Sequence, residues 1–198
     1  MIIRKLFKFE GAHIVRNCSS VRCKKSIHGH SYVVEVFFKS DGFDNGMMVM
    51  DFGLMKGTIK DFIDGFDHAY SLWSKESEDF KNFMITNSDR WIEMPVSPSA
   101  EAYSLMFFKV IDAIVKATEF NNGEKNVQLY SVRVHETTTG YAESFREDLE
   151  WCDFELEDIK ISDGIKSEFK DEKMFEKLIK AGKTKSKCFK NDIVEQQV

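Results

Sequence analysis

The chain holds five histidines, and two of them, His28 and His30, stand two residues apart in a segment rich in β-branched and aromatic types. In an extended strand residues i and i+2 point to the same side, so both imidazoles address one place. His13, just after the first apolar stretch, offers a third nitrogen. Three imidazoles with an open fourth position are how catalytic zinc is held, the open position receiving water or a substrate oxygen. An HxH pair also describes two partly exposed histidines at a strand end, so spacing alone leaves both readings open.

Cys23 precedes His28 by five residues and lies among Arg22, Lys24 and Lys25. Neighbouring cations favour the thiolate over a thiol whose ordinary pKa is about 8.5, which gives a base. The rival reading places Cys18 and Cys23 in a structural zinc site with the nearby histidines. Asp67 and His68 adjoin at the end of a helical stretch, where a carboxylate can orient an imidazole or where both are simply solvated. Glu136 ends an apolar strand face. Its two oxygens suit a planar pair of N–H groups, and a sheet edge in water is the alternative. Glu101 is most simply a favourable charge in the first turn of a helix.

Elements must position these groups. Residues 2–10 and 28–39 alternate as strands, the second placing His28, His30, Tyr32, Val34, Val36 and Phe38 on one face. The polar, basic run 11–27 is a long loop. SDGFDNG is a turn, after which GMMVMDF is expected to pair back on the second strand. Helical spacing of Leu54, Met55, Ile59, Phe62, Ile63 and Phe66 predicts a helix over 53–64, and residues 71–96 read as an irregular insertion with one short helix. A second helix is expected to about Ala117, with Ser97 as N-cap and Pro98 at its first position. VQLYSVRVHE then forms a strand with Tyr130, Val132, Val134 and Glu136 on one face and Val127 and Leu129 on the other, and YAESFRE a final strand.

This order describes an α+β chain with helices on one face of an antiparallel sheet. With 198 residues there is room for one domain over 1–149, an insertion at about 71–96, and a charged extension over 150–198 with partial order at best. A net charge of -5 argues against a surface built for phosphate backbones, so no nucleic-acid partner is expected. The start MIIRKLFKFEGAH interrupts any export signal with charges, and no run is long enough to span a membrane. The expectation is a cytoplasmic protein with reduced cysteines, Cys152 and Cys188 being inert core residues.

Several segments together carry a resemblance: FEGAH (9–13), a cysteine shortly before HGH (28–30), HSY (30–32), GMMVMDFGLMK (46–56), FDHAY (66–70), PSAEAYSL (98–105) and VHETTTG (134–140). In content and order they resemble the 6-pyruvoyltetrahydropterin synthase family, which includes the 6-carboxytetrahydropterin synthases. The resemblance implies a T-fold, an antiparallel sheet with two helices packed on one face. It also implies homo-oligomeric rings, tetramer or hexamer, with active sites between subunits, and a small-molecule pterin as substrate. His13, His28 and His30 would bind zinc. Cys23 would remove a substrate proton in a relay with Asp67 and His68, Glu136 would anchor the pterin, and Ser99, Ala100 and Glu101 would border its pocket.

The branch that makes 6-carboxytetrahydropterin from 7,8-dihydroneopterin triphosphate, on the path to queuosine, is favoured by the closeness of Cys23 to HGH and by the short ETTTG turn. The pyruvoyl branch shares the same site residues. A pterin-binding or structural zinc protein without turnover is a third reading, and the intact Cys23, Asp67 and His68 speak against it. The sequence departs from the family pattern at the four residues between Cys23 and HGH and at Ala100, where a threonine is expected. The 71–96 stretch is longer than usual, and the tail after Leu149 has no evident family counterpart.

Overall fold

The computed structural model describes residues 1–151 and 153–191. Cys152 and the last seven positions, 192–198, lie outside the described residues. In chain order the elements are β1 (Ile2–His13), α1 (Val21–Lys25), β2 (His28–Lys39), α2 (Gly53–Lys56), α3 (Thr58–Asp64), β3 (Ala69–Trp73), α4 (Glu78–Asn87), β4 (Trp91–Met94), α5 (Ala100–Lys116), β5 (Thr118–Phe120), β6 (Gln128–Thr137) and β7 (Gly140–Ser144). They continue as β8 (Lys160–Ile161), α6 (Asp163–Lys166), α7 (Met174–Thr184) and β9 (Phe189–Asn191).

Alternation drives the central pair. β1 turns Phe7, Phe9 and His13 inward and Arg4, Lys8 and Glu10 outward, while β2 buries Tyr32, Val34, Val36 and Phe38 on the same side. The two run antiparallel over their whole length, from Ile2 opposite Lys39 to His13 opposite His28. β6 adds antiparallel to β2 and β7 to β6. At the other side β3 pairs parallel with the end of β1, so that His13 faces Ser71, and β4 and β8 follow. The seven-stranded order is β7-β6-β2-β1-β3-β4-β8.

One face carries the helices. Phe62 and Phe66, from α3 and the turn after it, and Tyr103 and Phe107 from α5 pack their rings against one another and onto Phe9 of β1. The other face is polar: Glu35 is paired with Arg4, Arg133 and His135, and Arg133 with Glu143.

Several expectations change. GMMVMDF is not a strand. The edge of β2 that it was to occupy belongs to β6, and Asp44 folds the segment into a turn by accepting from the Gly46 and Met48 N–H groups at 2.8 Å each. The 53–64 helix breaks into α2 and α3 at Gly57, whose ψ is -115°. Residues 71–96 are ordered as strand, helix and strand, with α4 crossing between the parallel β3 and β4. Ser99, not Ser97, caps α5, accepting from the Ala102 N–H at 3.2 Å. In β6 a bulge at Tyr130, opposite the Phe37/Phe38 step, switches faces, so Leu129 joins Val132 and Val134 in the core.

Residues 153–191 also depart from the partial order expected of the extension. Phe154, Leu156, Ile159, Ile161, Ile165, Phe169, Phe175, Leu178 and Phe189 are buried in the same core as the sheet and helices. Its charges line the outside of short elements whose apolar positions face inward, as the spacing of Phe175, Leu178 and Ala181 in α7 shows. Phe175 stacks on Phe62 at 5.8 Å with the rings 3° from parallel. Phe175→Ala is therefore expected to lower stability by about 3 kcal/mol, read as a fall in the urea midpoint. A change under about 0.5 kcal/mol would mean that the segment does not share the core.

Candidate active site

The ladder between β1 and β2 builds the site. His13 and His28 are direct cross-strand partners, and His30 sits two positions along the same face of β2. Their ring centroids are 4.5, 5.3 and 5.2 Å apart, and one ligand atom from each lies within 4.8 Å of the others. Among the described residues this is the group of side chains placed so that they could hold a metal ion, and neither Cys18 nor Cys23 joins it.

Two imidazoles have their tautomer fixed by backbone carbonyls. His13 Nδ1 donates to Pro98 O at 2.5 Å and His28 Nδ1 donates to Ser26 O at 2.9 Å, since a carbonyl can only accept. That leaves both Nε2 atoms as lone pairs, the arrangement a metal requires of its ligands. His30 Nε2 is buried without a hydrogen-bond partner, a cost that a bound cation would remove. Burial, with the neighbouring His28 and His30 charges adding to it, outweighs the Pro98 bond and pushes the His13 pKa down to about 4. The ring is therefore neutral at pH 7, as a ligand must be.

A cavity of about 390 Å³ opens beside this set, lined by Cys18, Cys23, His28, Ser99, Glu101, Glu136 and Tyr141 among others. Three segments distant in sequence meet there: α1 brings Cys23, the start of α5 brings Ser99 and Glu101, and the end of β6 brings Glu136. A bulge between His135 and Thr137 leaves Glu136 out of the ladder with β7. Its Oε1 stands 3.6 Å from His13 Nε2 and 3.8 Å from His30 Nε2. The sequence reading placed Glu136 at a heterocycle clamp and did not foresee this closeness to the imidazoles.

Asp67 and His68 form a hydrogen-bonded pair, Nδ1 to Oδ2 at 2.7 Å. Burial alone would raise the Asp67 carboxyl, but the Glu10 N–H, the His68 imidazole and the Arg90 charge hold it below its ordinary value. His68 itself lines a second cavity, of about 440 Å³, with Glu10, His30, Ser31 and Tyr70. Within one chain Cys23 and His68 thus lie in different cavities, on the His28 and His30 sides of the imidazole set. The Pro98 carbonyl was missed by sequence reasoning, because a backbone acceptor has no residue-type signal. Tyr32, which the strand period places on the face of His28 and His30, is buried beside His13.

The model of the family described as 6-pyruvoyl tetrahydropterin synthase matches residues 2–147. This chain belongs to that family. Among similar pterin synthases, the 6-carboxy-5,6,7,8-tetrahydropterin synthases of Helicobacter pylori strains J99 and 26695 are 44% and 42% identical over 193 residues, 96% of this chain and 95% of theirs. That span takes in most of the segment after Leu149. The protein of the same name from Aquifex aeolicus is 28% identical, covering 71% of this chain and 95% of its own. The structure of Caenorhabditis elegans 6-pyruvoyl tetrahydropterin synthase matches with a TM-score of 0.51 at 22% identity, covering 73% of this chain and 94% of its own. The Plasmodium vivax enzyme of that name gives 0.53 at 17%, covering 74% and 98%. These likenesses show the T-fold. No helix among the described residues is long and apolar enough to cross a membrane.

The lowered His13 value has a consequence for the metal-free protein. The unfolded chain binds a proton at His13 near pH 6.5, the folded chain only near pH 4, so stability is full above 6.5 and is lost as the pH falls between those values. Urea midpoints measured from pH 7.5 to 4.5 should fall less steeply for His13→Gln than for the unaltered protein. Identical slopes would show that His13 is not held neutral by burial.

Proposed function

We propose that this protein is a zinc-dependent 6-carboxy-5,6,7,8-tetrahydropterin synthase, a lyase converting 7,8-dihydroneopterin triphosphate to 6-carboxytetrahydropterin on the path to queuosine and related 7-deazapurines. What carries the reading is one cavity that gathers Cys23, His28 and Glu136 beside three converging imidazoles. It is supported by relatives of that name that align with nearly the whole chain.

Three nitrogen donors with an open position fit zinc, and zinc bound there supplies a Lewis acid that makes the carbon-bound proton of the substrate side chain more acidic. The chain's own residues do the rest. Cys23, on the wall of the same cavity, takes that proton as the base. Glu136 presents two oxygens to the ring N–H and amino group of the pterin, with Ser99 and Glu101 at the rim of the same cavity. Asp67 keeps the Nδ1 proton of His68 directed at itself, which leaves Nε2 free to carry a proton at the second cavity. Because one chain separates Cys23 from His68, the reading includes a homo-oligomeric ring, tetramer or hexamer, in which another copy supplies the missing side.

The description of the matching family favours a second reading, 6-pyruvoyltetrahydropterin synthase, which uses the same residues and ends in triphosphate elimination. Zinc-loaded protein given 7,8-dihydroneopterin triphosphate separates the outcomes by mass spectrometry. Acetaldehyde release is expected, loss of triphosphate with the side chain retained would establish the pyruvoyl product, and no turnover would leave a pterin-binding protein. Cys23→Ala is expected to keep bound zinc and pterin while kcat falls at least about 100-fold. Loss of zinc in that variant would make Cys23 a ligand and end its assignment as the base.

A further inference from the structure

The bulge between His135 and Thr137 frees Glu136 from the ladder with β7, and its side chain lines the same cavity as Cys23 and His28. With 31% of that side chain exposed, a ligand entering the cavity can reach it. The carboxylate also reaches back to the imidazoles, its Oε1 lying 3.6 Å from His13 Nε2 and 3.8 Å from His30 Nε2.

Neither distance is a hydrogen bond. At His13 none can form, because the neutral ring gives its one proton from Nδ1 to Pro98 O and presents a lone pair at Nε2. A carboxylate oxygen and that lone pair are both acceptors, and two acceptors face each other at a cost unless positive charge lies between them. His30 Nε2, buried and without a hydrogen-bond partner, stands at nearly the same distance from the same oxygen. The spacing is that of co-ligands. Donors about 2.0–2.1 Å from one tetrahedral zinc stand roughly 3.3 Å from one another, a few tenths of an ångström closer than the Oε1 to Nε2 distances. The converging group consists of the three imidazoles, so the carboxylate joins them from the side of His13 and His30.

The geometry points to a second role for Glu136: while the cavity is free of substrate, its carboxylate is the fourth donor to an ion held by His13, His28 and His30, and a pterin draws it away. This rests on the reading of the imidazoles as a zinc site and of Glu136 as the pterin-facing acid. One side chain then has two partners that exclude each other. The fourth position opens when the ring is seated and stays closed otherwise.

The test reads metal affinity, with zinc Kd measured by competition against a chromophoric chelator and 7,8-dihydropterin as a non-reacting probe. Glu136→Gln should raise the zinc Kd at least about tenfold, since even a supporting partner of a metal ligand is worth that much. Glu136→Ala, measured beside it because an amide oxygen can still serve as a donor, should match or exceed that rise. In the unaltered protein saturating 7,8-dihydropterin should raise the zinc Kd about fivefold or more, and zinc should weaken 7,8-dihydropterin by the same factor. With cobalt(II) in place of zinc, 7,8-dihydropterin should shift the visible absorption bands of the unaltered protein toward those of Glu136→Ala.

A zinc Kd within about twofold of the unaltered value in both variants, with 7,8-dihydropterin binding weakened, overturns the inference and leaves Glu136 as the pterin anchor. So does a zinc Kd in the unaltered protein that 7,8-dihydropterin lowers or leaves unchanged, or cobalt bands that are the same with and without it. If the variants bind both zinc and 7,8-dihydropterin normally, or the unaltered protein binds no zinc, the inference and the reading beneath it fall together. Should the variants fail to fold, the 7,8-dihydropterin titrations and cobalt spectra of the unaltered protein decide alone.

Discussion

The register between β1 and β2 is the constraint on which the site depends. Side chains alternate faces along a strand, so a slip of one residue would send His28 and His30 to the polar face and break the trio. Burial prevents the slip. Phe7 and Phe9 on one strand and Tyr32, Val34, Val36 and Phe38 on the other can reach the core together in one register only. The stack of Phe9 on Tyr32 sits two positions from the imidazoles and locks the ladder where it matters.

The site lies where that ladder leaves the core. His13 is fully buried, while His28 and His30 are part-exposed and each opens onto a different cavity. The start of α5 closes the buried side through the Pro98 carbonyl, and β3 closes the edge of β1. On the opposite face of the sheet Glu35 is almost as buried as the core. Burial would raise its carboxyl, and His135, Arg4 and Arg133 together hold it below its ordinary value. A charged network there and an apolar layer on the other face leave the end of the hairpin as the place where polar ligands and apolar walls coexist.

The loop that carries Cys23 is tied down from several directions. Val15 N donates to Cys23 O at 3.0 Å, Arg16 donates to Lys24 O at 2.8 Å, and Ser97 donates to Arg16 O at 3.3 Å. Arg16 is itself held by Glu76 at 2.6 Å and lies over Phe80 at 5.5 Å. Both partners belong to the stretch between β3 and β4. Residues that read as an irregular insertion thus buttress the loop beside the cavity.

Much of this was legible in the residues. The alternation of 2–10 and 28–39, the helical spacing of 100–116 and the HxH pair follow from local periodicity, which any strand or helix must display to bury one face. The GMMVMDF segment and the bulge at Tyr130 were not legible, because competition for the edge of β2 is decided by partners far away in sequence. The extension misled for a related reason: its charges dominate the composition, while burial is decided by a few apolar positions at helical spacing. By itself the sequence determined which side chains could serve as ligands, base and anchor, since chemistry resides in residue types. Only the tertiary structure decided that Cys23 and His68 take opposite sides of the imidazole set, and that the Glu136 carboxylate closes on His13 and His30. Those are distances between strands and helices, and no local pattern encodes them.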